Sequence, residues 1–220
     1  HDAARSLSRN RALDFSLNDK TAGTALEESL PRRGGGWNFT IDGVKGEINQ
    51  PGLHNLANAV AAIAAARAAA VPLQNAVDAL ADFRGIWRRY QRIAIVNGVA
   101  VVDDFAHNPA KIAAAVTTAQ SESKRLLAWF QPHGFTPARF MRHELAEKLS
   151  QLLRPNDIFW FSEIHYAGGT VTRDISGADL AEDLRQLGTD SRFAATRKEA
   201  VEQLVATAEP GDTILLMGAR

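Results

Sequence analysis

The sequence contains no cysteine, which excludes a disulfide-stapled scaffold and any catalytic or metal-binding site built on thiolates. It also lacks an apolar run of the roughly 18 residues that a membrane-spanning helix needs. The first ten residues, HDAARSLSRN, contain no signal-peptide core. An excess of one charge is missing as well, since 25 Lys and Arg residues balance 25 Asp and Glu residues. We therefore expect a cytoplasmic protein that neither inserts into a membrane nor binds nucleic acid.

The length of 220 residues allows one large domain, or a small piece followed by a medium-sized domain. The sequence starts without a methionine, which suggests a chain cut from a longer one. Residues 1–36 are polar, poorly periodic and end in the loop-like run PRRGGG. The segment WNFTI and the turn residues Asp42 and Gly43 then predict a short strand or hairpin.

Two helices are predicted next. In the alanine-rich segment from His54 onward, Leu56, Val60 and Ile63 follow one another at helical spacing. A second helix is predicted from Pro72 onward, because proline suits a first helical turn. The pattern changes after this helix, near Gly85. We therefore place a domain boundary there, with domains at residues 1–85 and 86–220.

From residue 86 onward, short apolar strands alternate with amphipathic helices. Asn97-Gly98 is a strong hairpin signal between the first two strands. This alternation predicts an α/β domain with a mostly parallel, Rossmann-like sheet. The predicted strands cover residues 91–96, 99–103, 125–130, 157–161 and 212–217, and the predicted helices start at Pro109 (capped by Asn108), at Thr136 as an N-cap followed by Pro137, and near Ser176 and Lys198.

Polar residues follow three of the predicted strands at the end where an open parallel sheet binds ligands. Surface loops are also polar, so the position of these residues alone does not distinguish a binding site from an ordinary loop. The segments that follow these strands are DDFAH (residues 103–107), QPH (131–133) and SEIHY (162–166).

The residue identities favour a site, because several motifs occur in the order of one family. The chain resembles the Mur ligase family of cell-wall synthesis, and within it the members that add L-alanine. The matching segments are GLHNLANAVAA (residues 52–62), FRG followed by RRY (83–90), DDFAHNP (103–109), FQPH (130–133), YAGG (166–169) and MGA (217–219). The resemblance implies that residues 1–85 are the tail of an ATP-binding central domain, and residues 86–220 a Rossmann-like C-terminal domain.

The resemblance also implies a nucleotide site. Asn55 and Asn58, one helical turn apart, would offer their amides to adenine, although N-capping by Asn55 is the alternative. His54 would stack on the base or merely fill the helix start. Asp104 would accept hydrogen bonds from the ribose unless it is an ordinary loop carboxylate. Arg89 would face the phosphates unless it is a solvated member of a basic run.

His107 and His133 are the candidates for catalysis, as groups that orient the acceptor or take its proton, with structural histidines as the alternative. In the L-alanine-adding members, arginines associated with the amino-acid carboxylate follow FQPH. Gly134 and Pro137 stand at those two positions here. We therefore assign the acceptor to His133, Thr136 and Arg139, with Arg142 as a further arginine on the same helix.

The reaction implied by the resemblance uses ATP and Mg²⁺ to turn the carboxylate of UDP-N-acetylmuramate into an acyl phosphate, which an amino acid or peptide then attacks. No phosphate-binding G-x-x-x-x-G-K-S/T motif occurs within the 220 residues. The chain alone is therefore expected to be inactive and to need the rest of its polypeptide. The alternatives are a ligase that attaches a recycled murein peptide, and a non-catalytic paralogue that binds nucleotide or amino acid.

Overall fold

The computed structural model describes residues 14–166 and 168–219. The chain divides into two compact units after Gly85. In the described part of the chain, no helix is long and apolar enough to cross a membrane.

The first unit combines short strands with two helices. β1 and β2 form a two-stranded parallel pair, and β3, β4 and β5 form an antiparallel sheet in that order. The strands are β1 (Phe15–Ser16), β2 (Thr24–Ala25), β3 (Glu28–Pro31), β4 (Trp37–Ile41) and β5 (Val44–Ile48), and the helices are α1 (Leu53–Ala68) and α2 (Leu73–Ala81).

The hairpin expected after Trp37 is present as β4 and β5. Strands β1, β2 and β3 lie within the polar, poorly periodic segment before Trp37 and were not among the predicted elements, whereas residues 1–13 fall outside the described residues. Two of these strands contain only two residues each, and β3 is largely exposed, so none of them has an apolar alternation that the sequence could reveal.

The core of the first unit forms where α1 and α2 pack on the antiparallel sheet. Leu56, Val60 and Ile63 are fully buried, as their helical spacing predicts. They pack with Phe39 and Ile41 of β4 in one apolar cluster.

The second unit contains a six-stranded sheet in the order β10-β9-β8-β11-β7-β6. All neighbours are parallel except the hairpin of β6 and β7, which confirms the predicted fold class. The strands are β6 (Gln91–Val96), β7 (Val99–Asp104), β8 (Arg125–Gln131), β9 (Ile158–Ser162), β10 (Ser191–Ala194) and β11 (Asp212–Gly218), and the helices are α3 (Pro109–Glu122), α4 (Phe135–Leu152), α5 (Gly177–Gln186) and α6 (Arg197–Thr207).

Apolar clusters cover both faces of this sheet. On one face, α3, α4 and α5 bury Phe130, Phe159 and Leu215. On the other face, α6 packs Leu204 against Trp160. This arrangement explains the nearly continuous apolar runs of β8, β9 and β11, since a strand that is buried on both faces loses the alternation of a half-exposed strand.

The turn and cap residues explain most element ends. Asn97 and Gly98 both have positive φ, at 51° and 79°, as the predicted hairpin turn requires. Asn108 caps α3 by accepting a hydrogen bond from the Lys111 amide at 3.0 Å. The expectation that Thr136 caps α4 is wrong: the cap is Gly134, with φ of 80°. A positive φ suits glycine, and Pro137 still lies in the first turn, where no intrahelical N–H is needed.

Strand β10 was not among the predicted elements. It contains only four residues, and its central pair is partly exposed. It adds to the edge of the sheet beside β9.

The side chain of Asp157 is fully buried. Its hydrogen bonds connect α3 and the segment before β9 to strand β8. Its carboxylate accepts hydrogen bonds from the Leu126 amide at 2.8 Å, the Gln120 side chain at 2.8 Å and the Arg154 guanidinium at 2.9 Å. Burial by itself raises the pKa of Asp157, but these hydrogen bonds, the one from Arg154 foremost, outweigh burial and leave the pKa below its ordinary value.

We predict that Asp157→Asn lowers the free energy of unfolding by about 1.5–3 kcal/mol at pH 7, because the half-buried Arg154 guanidinium and the buried donors lose an ionised acceptor. The folded pKa lies below the unfolded one, so the stabilisation is present at neutral pH and is lost as the pH falls below about 4. Urea unfolding of both proteins at pH 7 and pH 3 measures this difference, which should shrink at pH 3.

The matched control is Asp190→Asn, which removes a carboxylate from the exposed pair with Arg192. It should cost no more than about 1 kcal/mol. An equal loss for both variants would contradict the role of Asp157.

Candidate active site

The ends of four neighbouring strands lie side by side at the carboxyl edge of the sheet. Met217 of β11 pairs with Asp104 of β7. Gly218 pairs with Gln131 of β8. The loops that follow β7, β8 and β9 therefore meet at the edge where parallel sheets bind ligands.

Asp104 is buried at the end of β7, and both of its carboxylate oxygens accept backbone hydrogen bonds. Oδ2 accepts from the Tyr90 amide at 2.7 Å, and Oδ1 accepts from the Ala106 amide at 2.6 Å. These contacts fix the segment before β6 to the loop after β7. The assignment of Asp104 to a ribose stays a prediction.

Asp103 holds the same segment through Arg88. The Arg88 guanidinium donates to Asp103 at 2.9 Å and to the Gly218 carbonyl at 2.9 Å. Arg88 and Tyr90 both have positive φ, at 57° and 46°, a conformation that costs a non-glycine residue of order 1 kcal/mol or more. The aspartate pair, Asp103 and Asp104, thus stabilises a strained backbone on both sides of Arg89.

Arg89 lies between Arg88 and Tyr90, and its side chain is exposed. Its guanidinium carbon lies 5.2 Å from the centre of the Phe105 ring. Among the described residues, no acidic side chain pairs with it. A cation that rests on an aromatic face and keeps its donors available is suited to a phosphate group.

His107 lies at the start of the loop after β7, half-buried beside Phe105. Its Nδ1 is 2.8 Å from the Phe105 carbonyl oxygen. A carbonyl oxygen can only accept, so Nδ1 carries the proton and a neutral His107 has its lone pair on Nε2. This tautomer is the one that a proton acceptor directed away from the backbone needs.

The nucleotide candidates of the first unit lie in the first turns of α1. Asn55 donates from its side chain to the Pro51 carbonyl at 2.7 Å, and the cap of α1 is Gly52, with φ of 89°. Asn55 is therefore not the N-cap. Asn58 is exposed, whereas His54 is half-buried. These residues belong to the first unit and Arg89 and Asp104 to the second, so their convergence on one nucleotide stays a prediction.

His133 and His165 bring the loops after β8 and β9 together. The His165 amide donates to the Pro132 carbonyl at 2.8 Å, and the Gly134 amide donates to the His165 carbonyl at 2.9 Å. The two imidazole rings lie 5.2 Å apart. His133 Nδ1 is buried and has no hydrogen-bond partner within the described structure.

Two of the proposed acceptor residues lie on α4, directly after this bridge. Thr136 is exposed in the first turn. Arg139 donates to the Asp174 carboxylate and, at 3.0 Å, to the Thr172 carbonyl, and its hydrogen bond holds the pKa of Asp174 below the ordinary value. Arg142 is paired with Asp183. Both arginines of this helix are therefore paired with carboxylates.

Arg173 is a candidate that our sequence reasoning missed. Its guanidinium carbon lies 4.5 Å from the centre of the Tyr166 ring and 5.8 Å from that of Phe135. The two rings contact each other edge to face at 5.5 Å. The sequence feature that could have indicated Arg173 is its position in the loop that follows the YAGG motif. Ala167 of this motif lies outside the described residues.

The described residues do not include three or more His, Asp or Glu side chains placed to hold a metal ion. Arg89 and Asn58 are exposed and have polar groups that fit a nucleotide. His133, His165 and Arg173 are the residues that fit an acceptor amino acid.

We predict that Asp104→Asn lowers the free energy of unfolding by about 1–3 kcal/mol, because the new amide nitrogen cannot accept and leaves one buried N–H without an acceptor. Asp103→Asn is the matched control, since its remaining oxygen still accepts from Arg88, and it should cost about 1 kcal/mol or less. Urea unfolding measures both. Equal losses would contradict the anchoring role of Asp104.

Comparison with known families gives a match over residues 88–220 to the model described as Mur ligase, glutamate ligase domain. A UDP-N-acetylmuramate–L-alanine ligase from Pelotomaculum thermopropionicum is 37% identical over 175 residues, which are 79% of this chain and 37% of that protein. The enzyme of the same name from Acetivibrio thermocellus is 33% identical over 94% of this chain and 45% of its own length. The chain thus spans about two fifths of the length of these curated relatives.

Solved structures show the same fold. The UDP-N-acetylmuramate–alanine ligase from Thermotoga maritima superposes with a TM-score of 0.70 at 24% identity, over 94% of this chain and 44% of that chain. A murein peptide ligase from Psychrobacter arcticus superposes with a TM-score of 0.58 at 24% identity, over 93% of this chain and 43% of that chain.

Proposed function

The chain belongs to the Mur ligase family, and we propose that it is part of an ATP-dependent ligase that joins an amino acid to UDP-N-acetylmuramate in peptidoglycan precursor synthesis. The names of its curated relatives support L-alanine as the acceptor. ATP, bound with Mg²⁺, would supply the phosphoryl group that converts the muramate carboxylate into an acyl phosphate. The amine of the acceptor would then attack this acyl group and release phosphate.

The observation that carries the proposal is the strained segment that presents Arg89. Two carboxylates and a backbone carbonyl hold Arg88 and Tyr90 in left-handed conformations, and strain of this kind persists where the surroundings enforce it. The result is an exposed guanidinium with available donors at the sheet edge. We assign it to the phosphates of ATP, with Asp104 at the ribose and His54, Asn55 and Asn58 at the adenine.

The acceptor amine must lose a proton before or during its attack. We assign this task to His107, whose neutral form has its lone pair on Nε2. His133, with Thr136 beside it at the start of α4, would orient the acceptor. Arg139 holds the loop at Thr172 and Asp174, so we now assign it a positioning role near the acceptor rather than direct contact.

We predict that Arg89→Ala raises the KM for ATP about tenfold, because a charge-assisted hydrogen bond to phosphate contributes about 1.5 kcal/mol or more. The measurement is ATP-dependent amide formation by the complete ligase that contains these residues. The free energy of unfolding should change by no more than about 1 kcal/mol, since Arg89 is exposed.

Arg185→Ala is the control for this substitution. Arg185 is also exposed, but it lies on α5 and pairs with Glu182. Its KM for ATP should equal that of the unsubstituted enzyme. A KM for ATP that is unchanged in Arg89→Ala would contradict the phosphate assignment.

The second candidate function is the attachment of a recycled murein peptide. It is favoured by Gly134 and Pro137, which replace the arginines expected in an L-alanine-adding enzyme. We predict that the complete ligase uses free L-alanine better than L-alanyl-D-glutamyl-diaminopimelate, measured as phosphate release with each acceptor. A higher kcat/KM with the tripeptide would establish the second function, and no release with either would support the non-catalytic paralogue.

Residues 1–220 contain no phosphate-binding loop motif. We therefore predict that the purified chain of these residues forms no amide in the presence of ATP, UDP-N-acetylmuramate and L-alanine. Measurable ATP-dependent product from this chain would refute the prediction.

A further inference from the structure

We propose that Arg173 binds the carboxylate of the acceptor amino acid and thereby replaces the arginines that the positions of Gly134 and Pro137 lack. The inference rests on the proposed function, since it names the residue that selects a free α-carboxylate at the same site. It assigns this contact to the loop after β9 rather than to the segment directly after β8.

The Arg173 guanidinium lies where an anion would be favoured. Arg173 lies over Tyr166 and Phe135, at 4.5 Å and 5.8 Å from the ring centres. Phe135 is the first residue of α4, so the guanidinium lies near the N-terminus of an 18-residue helix. The helix dipole and the first-turn N–H groups favour an anion at such a position, and the guanidinium adds a fixed positive charge.

The two arginines of α4 are already paired with carboxylates. Arg139 pairs with Asp174, and Arg142 pairs with Asp183. In the part of the chain that the structure describes, Arg173 has no carboxylate or carbonyl partner. Its donors are therefore available to a ligand, while the aromatic rings limit the orientations of the guanidinium.

Hydrogen bonds on both sides of Arg173 hold the loop that carries this side chain. Arg139 donates to Thr172 and Asp174, the residues on either side of Arg173. Tyr166 donates from its hydroxyl to the Gly169 carbonyl, which closes the other end of the loop. Arg139 is thus a positioning residue, and its ion pair keeps Asp174 from pairing with Arg173.

Two histidines lie close in the chain to the aromatic residues that contact Arg173. His165, next to Tyr166 in the chain, lies with its ring 5.2 Å from that of His133. His133 has a buried Nδ1 without a hydrogen-bond partner in the described residues. A small ligand bound by Arg173 would therefore lie near polar groups that can accept or donate a proton.

The test compares L-alanine with L-alaninamide, which lacks the carboxylate. Binding is measured by calorimetry with the complete polypeptide in the presence of UDP-N-acetylmuramate and the non-hydrolysable ATP analogue adenylyl imidodiphosphate. The unsubstituted protein should prefer L-alanine by about 10- to 100-fold, as expected for a charge-assisted hydrogen bond or a bidentate pair. Arg173→Ala should lose this preference, and Arg173→Lys should keep only part of it.

Arg192→Ala is the matched control. Arg192 also lies over an aromatic ring, at 5.0 Å from the centre of Trp160, but it is paired with Asp190. Its preference for L-alanine should equal that of the unsubstituted protein. A purely structural role of Arg173 would weaken both ligands equally and leave the preference intact.

An unchanged preference in Arg173→Ala, or equal behaviour of the two ligands toward the unsubstituted protein, would overturn the assignment. The binding measurement needs no turnover. A preference that depends on Arg173 in a protein that forms no amide would therefore refute the proposed function and leave this assignment standing. Normal turnover in Arg173→Ala, with the preference for L-alanine retained, would refute the assignment of Arg173 and leave the proposed function standing.

Discussion

The hydrogen bonds of Asp103 and Asp104 are the constraint on which the rest of the site depends. Asp103 holds the Arg88 side chain and Asp104 holds the Tyr90 amide. These contacts help to offset the cost of the left-handed conformations of Arg88 and Tyr90, which is about 1–2 kcal/mol for each non-glycine residue. The orientation of Arg89 between them is thus a consequence of carboxylates placed at the end of a central parallel strand.

The same edge of the sheet carries a second arrangement around the loops after β8 and β9. The backbone bridge of His133 and His165 joins these loops, and Arg139 fixes the far loop to α4. In both arrangements an arginine lies on an aromatic face, Arg89 on Phe105 and Arg173 on Tyr166. A phosphate and a carboxylate are both anions, which is why a ligase that brings ATP and an amino acid together would need two such cations.

Much of this could be predicted from the sequence, because local signals and tertiary packing agree there. Asn97-Gly98 specified the hairpin, Asn108 specified the start of α3, and the apolar runs specified the central strands. Arg173 could not be predicted, since its contacts depend on how the loop after β9 folds back on α4. The cap of α4 was misassigned because Thr136 is a good cap by residue type, whereas the positive φ at Gly134 decides where the helix begins.

The most direct measurement is a crystal structure of the complete ligase with an ATP analogue bound. We predict an Arg89 guanidinium nitrogen within hydrogen-bond distance of a phosphate oxygen, with Asp104 near the ribose and still bonded to the Tyr90 and Ala106 amides. We also predict that Asn58 reaches the adenine. A nucleotide bound elsewhere, with Arg89 still resting on Phe105 in solvent, would contradict the account.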